Sequence, residues 1–326
     1  MLSEAWSLVT TRVHRYPDFA KLAAEFGRRL EIPVDRFVLC PGTDTAIRSI
    51  VQNACRGDVQ HRLRILLHAP NYYAWEQAAA IFGMKIDLLG WADPASQAEE
   101  LLARARTSSP ALVALSFPNG PIGGGMTLQD VDELAEICVS RGHRLVVDVC
   151  YSKFCRELPD LYDRWSDGAL VISSLSKSHA LAGCRIGIVS GDPKWISELA
   201  DMRIEHAVSA VSADLALAMI DRTRLLTKIW DDISTSRRFV SESLERLGFK
   251  TVLSGGNFVT FRAPSVERAH SIHSWLEGRG FRLKWLSDYA GYEDHLRVTV
   301  GELGCMHPVI DALAEVVGFS LEHHLG

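Results

Sequence analysis

Short apolar runs recur along the first two thirds of the chain, separated by stretches whose apolar residues fall at helical spacing. FVLC (37–40), RILLH (64–68), ALVALSF (111–117), RLVVDV (144–149), LVIS (170–173) and CRIGIV (184–189) each read as a buried strand, with a further strand at 84–88. Helices are expected over 19–31, after Pro41-Gly42, from the aromatic cluster at 72–75 to Phe82, over 95–106 and beyond Thr127. Thr127 and Asp130 have the spacing of a capping box. Residues 1–13 have helical character, and Pro17 ends regular structure after them. Strand–helix alternation from 37 to 190 predicts a mainly parallel, doubly wound sheet. From 211 to 247 the pattern is helical with a charged middle. From 249 it changes again, with strand-like KTVLSGGNFVTFRA, FRLKWL and HLRVTV, a helix at 265–279 and a last helix near 306–317. The expected fold class is α/β: a large domain over 31–210, a smaller α+β domain over 211–326, and an N-terminal segment over 1–30.

Composition narrows the class without changing the fold. The chain has 326 residues, of which 47% are hydrophobic and 23% charged, as in an ordinary globular protein large enough for two domains. A net charge of −5 with no basic stretch gives no reason to expect nucleic acid. No apolar run is long enough for a signal peptide or a membrane span. The seven cysteines contain no CxxC pair, and several lie in apolar segments, so they read as reduced core residues of a cytoplasmic protein.

Candidate chemistry gathers at the predicted strand ends. LVISSLSKSHALAGCRIGIV (170–189) places Lys177 where two core strands meet and Arg185 inside the second. A cation in either place needs a partner, and a desolvated amine is suited to attack a carbonyl. The alternative is a surface-loop lysine and a solvent-facing arginine. Pro41-Gly42-Thr43-Asp44 joins a strand to a helix, with Thr43 or Asp44 as a natural N-cap. It reads as a phosphate site or as a plain capped helix. Tyr72, Tyr73 and Trp75 can cover a planar ligand or pack the helix on the sheet. The loop Pro118-Asn119-Gly120-Pro121-Ile122-Gly123-Gly124-Gly125 allows close backbone approach to a ligand, or serves as a crossover turn. Asp148, an acid near the carboxyl end of an apolar strand, is either a site residue or a cap of the next segment.

Taken together the motifs carry a resemblance. His-Arg-Tyr-Pro-Asp, Pro-Gly-Thr-Asp-Thr-Ala-Ile, Pro-Asn-Tyr, Pro-Asn-Gly-Pro-Ile-Gly, Val-Val-Asp-x-x-Tyr, Ser-Leu-Ser-Lys-x-x-x-Leu-Ala-Gly-x-Arg-x-Gly and Leu-Arg-Val-Thr-Val-Gly occur in that order from about residue 14 onwards. The chain thereby resembles the fold-type I pyridoxal-phosphate aminotransferases, most of all the histidinol-phosphate aminotransferase group. The resemblance implies that 31–210 is a cofactor-binding domain. Lys177 would form the Schiff base with pyridoxal phosphate and carry the proton between substrate and cofactor. Asp148 would hold the ring nitrogen protonated, Tyr151 would bond the ring's 3′-oxygen, and Tyr72 would stack on the ring. Thr43 and Asp44 through their amides, with Ser174, Ser176 and Arg185, would hold the phosphate. Tyr16 would reach the phosphate of a neighbouring subunit, implying a homodimer with shared sites. Arg297 would bind the α-carboxylate of the substrate.

The expected activity is amino-group exchange between an L-amino acid and a keto acid or ketone. The alternative is another outcome on the same fold: decarboxylation as in threonine-phosphate decarboxylases, oxidation or cyclisation. The chain also departs from the family's pattern. Gly120 stands where an asparagine usually bonds the 3′-oxygen, with Asn119 one residue earlier. Cys150 stands in place of a small alanine. By the same resemblance the family's N-terminal arm is expected to be largely absent, and Lys284 to lie near the place of an arginine that reads a substrate phosphate.

Overall fold

The computed structural model describes residues 14, 16–56, 64–89, 97–202 and 206–318, so the helical reading of 1–13 lies outside the described residues. In chain order the elements are α1 (Phe19–Leu30), β1 (Phe37–Cys40), α2 (Thr43–Ala54), β2 (Arg64–His68), α3 (Ala74–Phe82), β3 (Ile86–Leu89), α4 (Gln97–Thr107), β4 (Ala111–Ser116), α5 (Leu128–Arg141), β5 (Arg144–Asp148) and β6 (Ala169–Ser174). The single turn α6 (Leu175–Ser178) and β7 (Gly187–Gly191) follow. Then come α7 (Pro193–Asp201), α8 (Ala210–Ile220), α9 (Thr223–Arg246), β8 (Lys250–Val252), β9 (Phe258–Arg262), α10 (Val266–Glu277), β10 (Lys284–Trp285), β11 (His295–Thr299) and α11 (Leu303–Val317).

Seven strands form one sheet in the order β1-β7-β6-β5-β4-β2-β3. Pairs from β3 across to β6 are parallel, and β7 runs antiparallel to both β6 and β1. Every residue of β4 and β6 is buried, the mark of a sheet covered on both faces. The covering follows the period-two rule. Leu112, Ala114 and Val146 pack with Ile47, Val51 and Trp75 on one face, while Val113, Leu115 and Val147 pack with Leu101 and Leu134 on the other. The carboxyl ends of β1, β2, β4, β5 and β6 therefore open on one edge. In such sheets that edge is where ligands bind.

Two local readings are corrected. The cap of α2 is Gly42, with φ 85°, and neither Thr43 nor Asp44 caps it, because the helix already begins at Thr43. The return strand begins at Gly187, so Arg185 lies outside it. Arg185 has φ 53°, a left-handed conformation that does not continue a strand. The capping box of α5 is present: the Thr127 hydroxyl accepts from the Asp130 amide at 3.2 Å, and the Asp130 carboxylate accepts from the Thr127 amide at 2.7 Å.

The second sheet is antiparallel, in the order β10-β11-β9-β8. It has its own core, in which Phe261 and Leu296 pack against Val240, Ile272 and Leu313 of α9, α10 and α11. Hydrogen bonds tie it to the large sheet's open edge. The Gly255 amide donates to the Gly123 carbonyl at 3.1 Å, and Arg237 Nη1 on α9 donates to the carbonyls of Phe154 and Gly256 at 2.9 and 2.6 Å. No helix among the described residues is long and apolar enough to cross a membrane.

Candidate active site

The open edge gathers the polar groups that an apolar sheet would otherwise exclude. Asp148 ends β5, and its residue is 7% exposed. Burial raises its pKa, and the Asp44 charge adds to the rise; bonds from the Cys150 thiol and amide, and the Lys177 charge, oppose it. The Cys150 amide donates to Asp148 Oδ1 at 3.0 Å. Lys177, in the one-turn helix directly after β6, is thus held near the acid by chain geometry. Its side chain is exposed, as is that of Arg185, so the expectation of two cations buried between core strands is corrected. Both stand beyond the strand ends, where the edge opens.

Around the N-terminus of α2 the fit is close. A Cβ on Gly42 would come within 2.6 Å of Arg185 Nη2, and one on Gly187 within 2.9 Å of the Gly42 carbonyl carbon and 3.0 Å of the Thr43 amide nitrogen. Only glycine allows the strand, the helix start and the guanidinium to approach in this way. Because the cap has no side chain, no capping oxygen competes for the first-turn amides, which together with the helix dipole favour an anion. The Asp44 carboxylate bridges two side chains here. Its Oδ2 accepts from Arg185 Nη2 at 3.0 Å and its Oδ1 from the Tyr72 hydroxyl at 2.8 Å. Burial, and then that bond to Asp44, push the Tyr72 phenol up in pKa. The Ser174 hydroxyl accepts from the Ser176 amide at 3.0 Å and so caps the Lys177 turn.

A second group comes from the small sheet. Arg297 on β11 donates through Nη1 to the carbonyls of Gly120 and Pro121 at 2.8 and 3.2 Å, and its guanidinium lies 4.5 Å from the Phe258 ring centroid. Tyr151 meets the same Phe258 ring edge-on at 5.3 Å. Burial raises the Tyr151 phenol, and the Arg297 charge opposes the rise. Phe258 thus joins the two groups, and reading the sequence did not single it out. Its only local signal is a place at the start of an apolar strand after two glycines.

Other expected residues are placed differently. The Asn119 side chain is buried and ties its own loop to the segment after β2: Oδ1 accepts from the Ile122 amide at 3.1 Å, and Nδ2 donates to the Pro70 carbonyl at 2.9 Å. Tyr16 stands apart from the network. It is 81% exposed and stacks on His206, with ring centroids 4.7 Å apart. Lys284 is the cross-strand partner of Arg297 and reaches Asp288 at 3.4 Å.

Comparison with known proteins places this arrangement. The pattern that defines "Aminotransferase class I and II" matches residues 7–310. The chain is 31% identical to histidinol-phosphate aminotransferase 2 of Nitrosococcus oceani, over 96% of this chain and 86% of that protein. Among solved structures, histidinol-phosphate aminotransferase from Sinorhizobium meliloti, in complex with pyridoxal-5′-phosphate, superposes with a TM-score of 0.84 at 20% identity, covering 97% of this chain and 87% of that one. L-threonine-O-3-phosphate decarboxylase from Porphyromonas gingivalis has the same fold, with a TM-score of 0.80 at 18% identity over 97% and 94% of the two chains. The residues present suit that cofactor. Among the described residues the buried Asp148, of raised pKa, has no cationic hydrogen-bond donor, which a protonated ring nitrogen would supply; the glycine-lined helix start suits a phosphate; and the Lys177 amine lies near enough for its charge to act on the acid. The chain belongs to the class I and II aminotransferases, and its cofactor is pyridoxal phosphate.

Proposed function

We propose that this aminotransferase moves an amino group between an L-amino acid, held by its carboxylate at Arg297, and a keto acid or ketone. The observation that carries the reading is the Asp148–Lys177 pair at the ends of adjacent parallel strands, flanked on one side by the glycine-lined start of α2 and on the other by Arg297. The bound cofactor supplies an electron sink for the carbanion formed when the substrate Cα loses its proton.

The remaining work falls to side chains. Lys177 Nζ would hold the cofactor and, once the substrate amine has displaced it, would be free to take the substrate Cα proton as general base and give it back as general acid. Asp148 would keep the ring nitrogen protonated. Tyr151 would bond the ring oxygen, and Tyr72, fixed through Asp44, would cover the ring. The amides of Thr43 and Asp44, with Ser174, Ser176 and Arg185, would hold the phosphate. Asn119 would act by holding its loop against the segment after β2, because its amide is committed to Ile122 at one end and to Pro70 at the other. Arg297 presents a planar fork to the substrate carboxylate.

The reading extends to organisation. Residues 31–210 would form the cofactor domain and 211–326 the small domain; the separate sheets and the core of the second sheet support the division, although Ala213 to Trp230 pack with Leu39 and Ile188 of the large sheet. The segment 1–30 meets a second subunit, with exposed Tyr16 reaching that subunit's phosphate in a homodimer. Seven free thiols suit a reducing cytoplasmic setting. Histidinol phosphate is the favoured phosphorylated partner, given the 31% relative and the second cation, Lys284, opposite Arg297.

The test is the visible absorbance of the purified holoenzyme during single additions from a panel of amino acids, with no keto acid present. One amino acid, or histidinol phosphate, is expected to bleach the band, and a keto acid to restore it. Turnover with release of carbon dioxide and no bleaching would instead establish a decarboxylase.

A further inference from the structure

Arg237 on α9 is half-buried, and its guanidinium is spent on backbone from both sheets' sides. Nη1 donates at 2.9 Å to the carbonyl of Phe154, which closes the short turn after Tyr151. It also donates at 2.6 Å to the carbonyl of Gly256, two residues before Phe258 on β9. Nη2 donates to Ser234 Oγ on the same helix at 3.2 Å, so the plane of the guanidinium is set from two sides. A lysine ammonium has no such fork. The turn that Arg237 holds leaves no slack. A Cβ on Gly255 would come within 2.6 Å of Pro118 Cγ, and one on Gly256 within 2.6 Å of Phe258 Cε1. A shift of the Gly256 backbone is therefore passed to the Phe258 ring, which meets both the Arg297 guanidinium and Tyr151. The two do not depend on that ring equally. The turn after Tyr151 closes on itself, with the Phe154 amide donating to the Tyr151 carbonyl at 3.1 Å. Arg297 has committed Nη1 to the loop carbonyls, and its buried Nε has no hydrogen-bond partner among the described residues.

We infer that Arg237 is a positioning residue for substrate binding. By holding Gly256 against Phe154 it fixes the Phe258 ring, and through the ring the direction in which Arg297 offers its uncommitted N–H groups. The inference rests on the proposed binding of the substrate carboxylate at Arg297. A carboxylate takes two parallel N–H bonds only from a guanidinium lying in its own plane, so a small tilt weakens binding. Apart from Tyr151, which has its own turn, the residues proposed to hold the cofactor lie outside this series of contacts.

The experiment uses holoenzyme carrying Arg237→Ala, Gly256→Ala or Arg297→Ala. The probe is L-glutamate, or, if glutamate does not bleach the cofactor band, the L-amino acid that does. KM, kcat and retention of pyridoxal phosphate on dialysis are read. Arg237→Ala is expected to raise KM about tenfold, below the roughly 100-fold that a misplacement of about 1 Å can cost, with kcat within about threefold and native retention. Gly256→Ala pushes the same ring while leaving Arg237 in place, and is expected to raise KM as well. A native KM in either variant would overturn the inference. So would a fall in kcat and in retention that parallels the rise in KM, the sign of general loosening. Arg297→Ala separates the two levels of the argument. If it leaves KM unchanged, the carboxylate reading itself has failed. If it raises KM while Arg237→Ala does not, only the role of Arg237 has.

Discussion

The two arginines of the site are held in opposite ways. Arg185 stands on an irregular turn with its side chain half exposed, and Asp44 already supplies it with a negative charge. Arg297 is set in a strand, half-buried, against two carbonyls and an aromatic face, and among the described residues it has no carboxylate at ion-pair distance. The carbonyls and the ring orient the guanidinium without cancelling its charge. A group arriving at Arg185 must share that cation with Asp44, whereas one arriving at Arg297 meets the whole charge. The first arrangement suits a cofactor that many other contacts also hold. The second suits a substrate carboxylate that must bind and leave in each cycle.

The contrast is sharpest in Arg297→Ala, which is expected to raise KM for carboxylate substrates by about 2–4 kcal/mol, or roughly 30- to 1000-fold. An unchanged KM in steady-state assays would remove Arg297 from substrate binding. Arg185→Ala should weaken pyridoxal phosphate by about 1.5–3 kcal/mol in equilibrium dialysis, since other phosphate contacts remain. A loss larger than that of Arg297→Ala would reverse the comparison.

Asp148→Asn is expected to raise the melting temperature of cofactor-free protein at neutral pH while impairing the holoenzyme. The sign follows from the raised pKa. The unfolded chain releases this proton near pH 4, the folded chain only at higher pH, so the native acid loses stability as pH rises through that window. An amide there does not titrate, and thermal melts across pH 4–8 should show a flatter dependence, by roughly the contribution of one group. The smallest effect is expected from Gly120→Asn. A Cβ there meets Tyr151 Cε2 at 3.4 Å, an ordinary contact, and the carbonyl that holds Arg297 is kept. Stability should stay within about 1 kcal/mol by denaturant melts.

Much of the fold was legible because the sheet is doubly covered. Strands buried on both faces write themselves as unbroken apolar runs, and β1, β2, β4 and β6 fall where those runs lie. The positions of Lys177, Asp148 and Tyr151 at strand ends followed from the same runs. What joins the site was not legible, because the contacts are distant in the chain: Arg185 and Asp44 are 141 residues apart, and Arg297 and Gly120 are 177 apart. Local pattern also misassigned the cap of α2, since a polar residue after glycine looks like a cap whether or not the helix has already begun. His68 escaped notice as well. It is a buried imidazole whose Nε2 accepts from the Ser116 amide at 3.2 Å, and burial lowers its pKa to about 3, so it stays neutral as a bridge between β2 and β4.

The backbone of Arg185 has a consequence for laboratory evolution. A non-glycine residue in the left-handed region carries a conformational cost of about 1–2 kcal/mol, which glycine would not. A library screened for heat resistance alone would therefore enrich glycine at 185, and the survivors would be sturdier proteins with a weakened grip on phosphate. Screening for growth that depends on the enzyme making its product would reverse the choice. The two screens would diverge at this codon, and the frequency of glycine there would report which pressure a lineage had met.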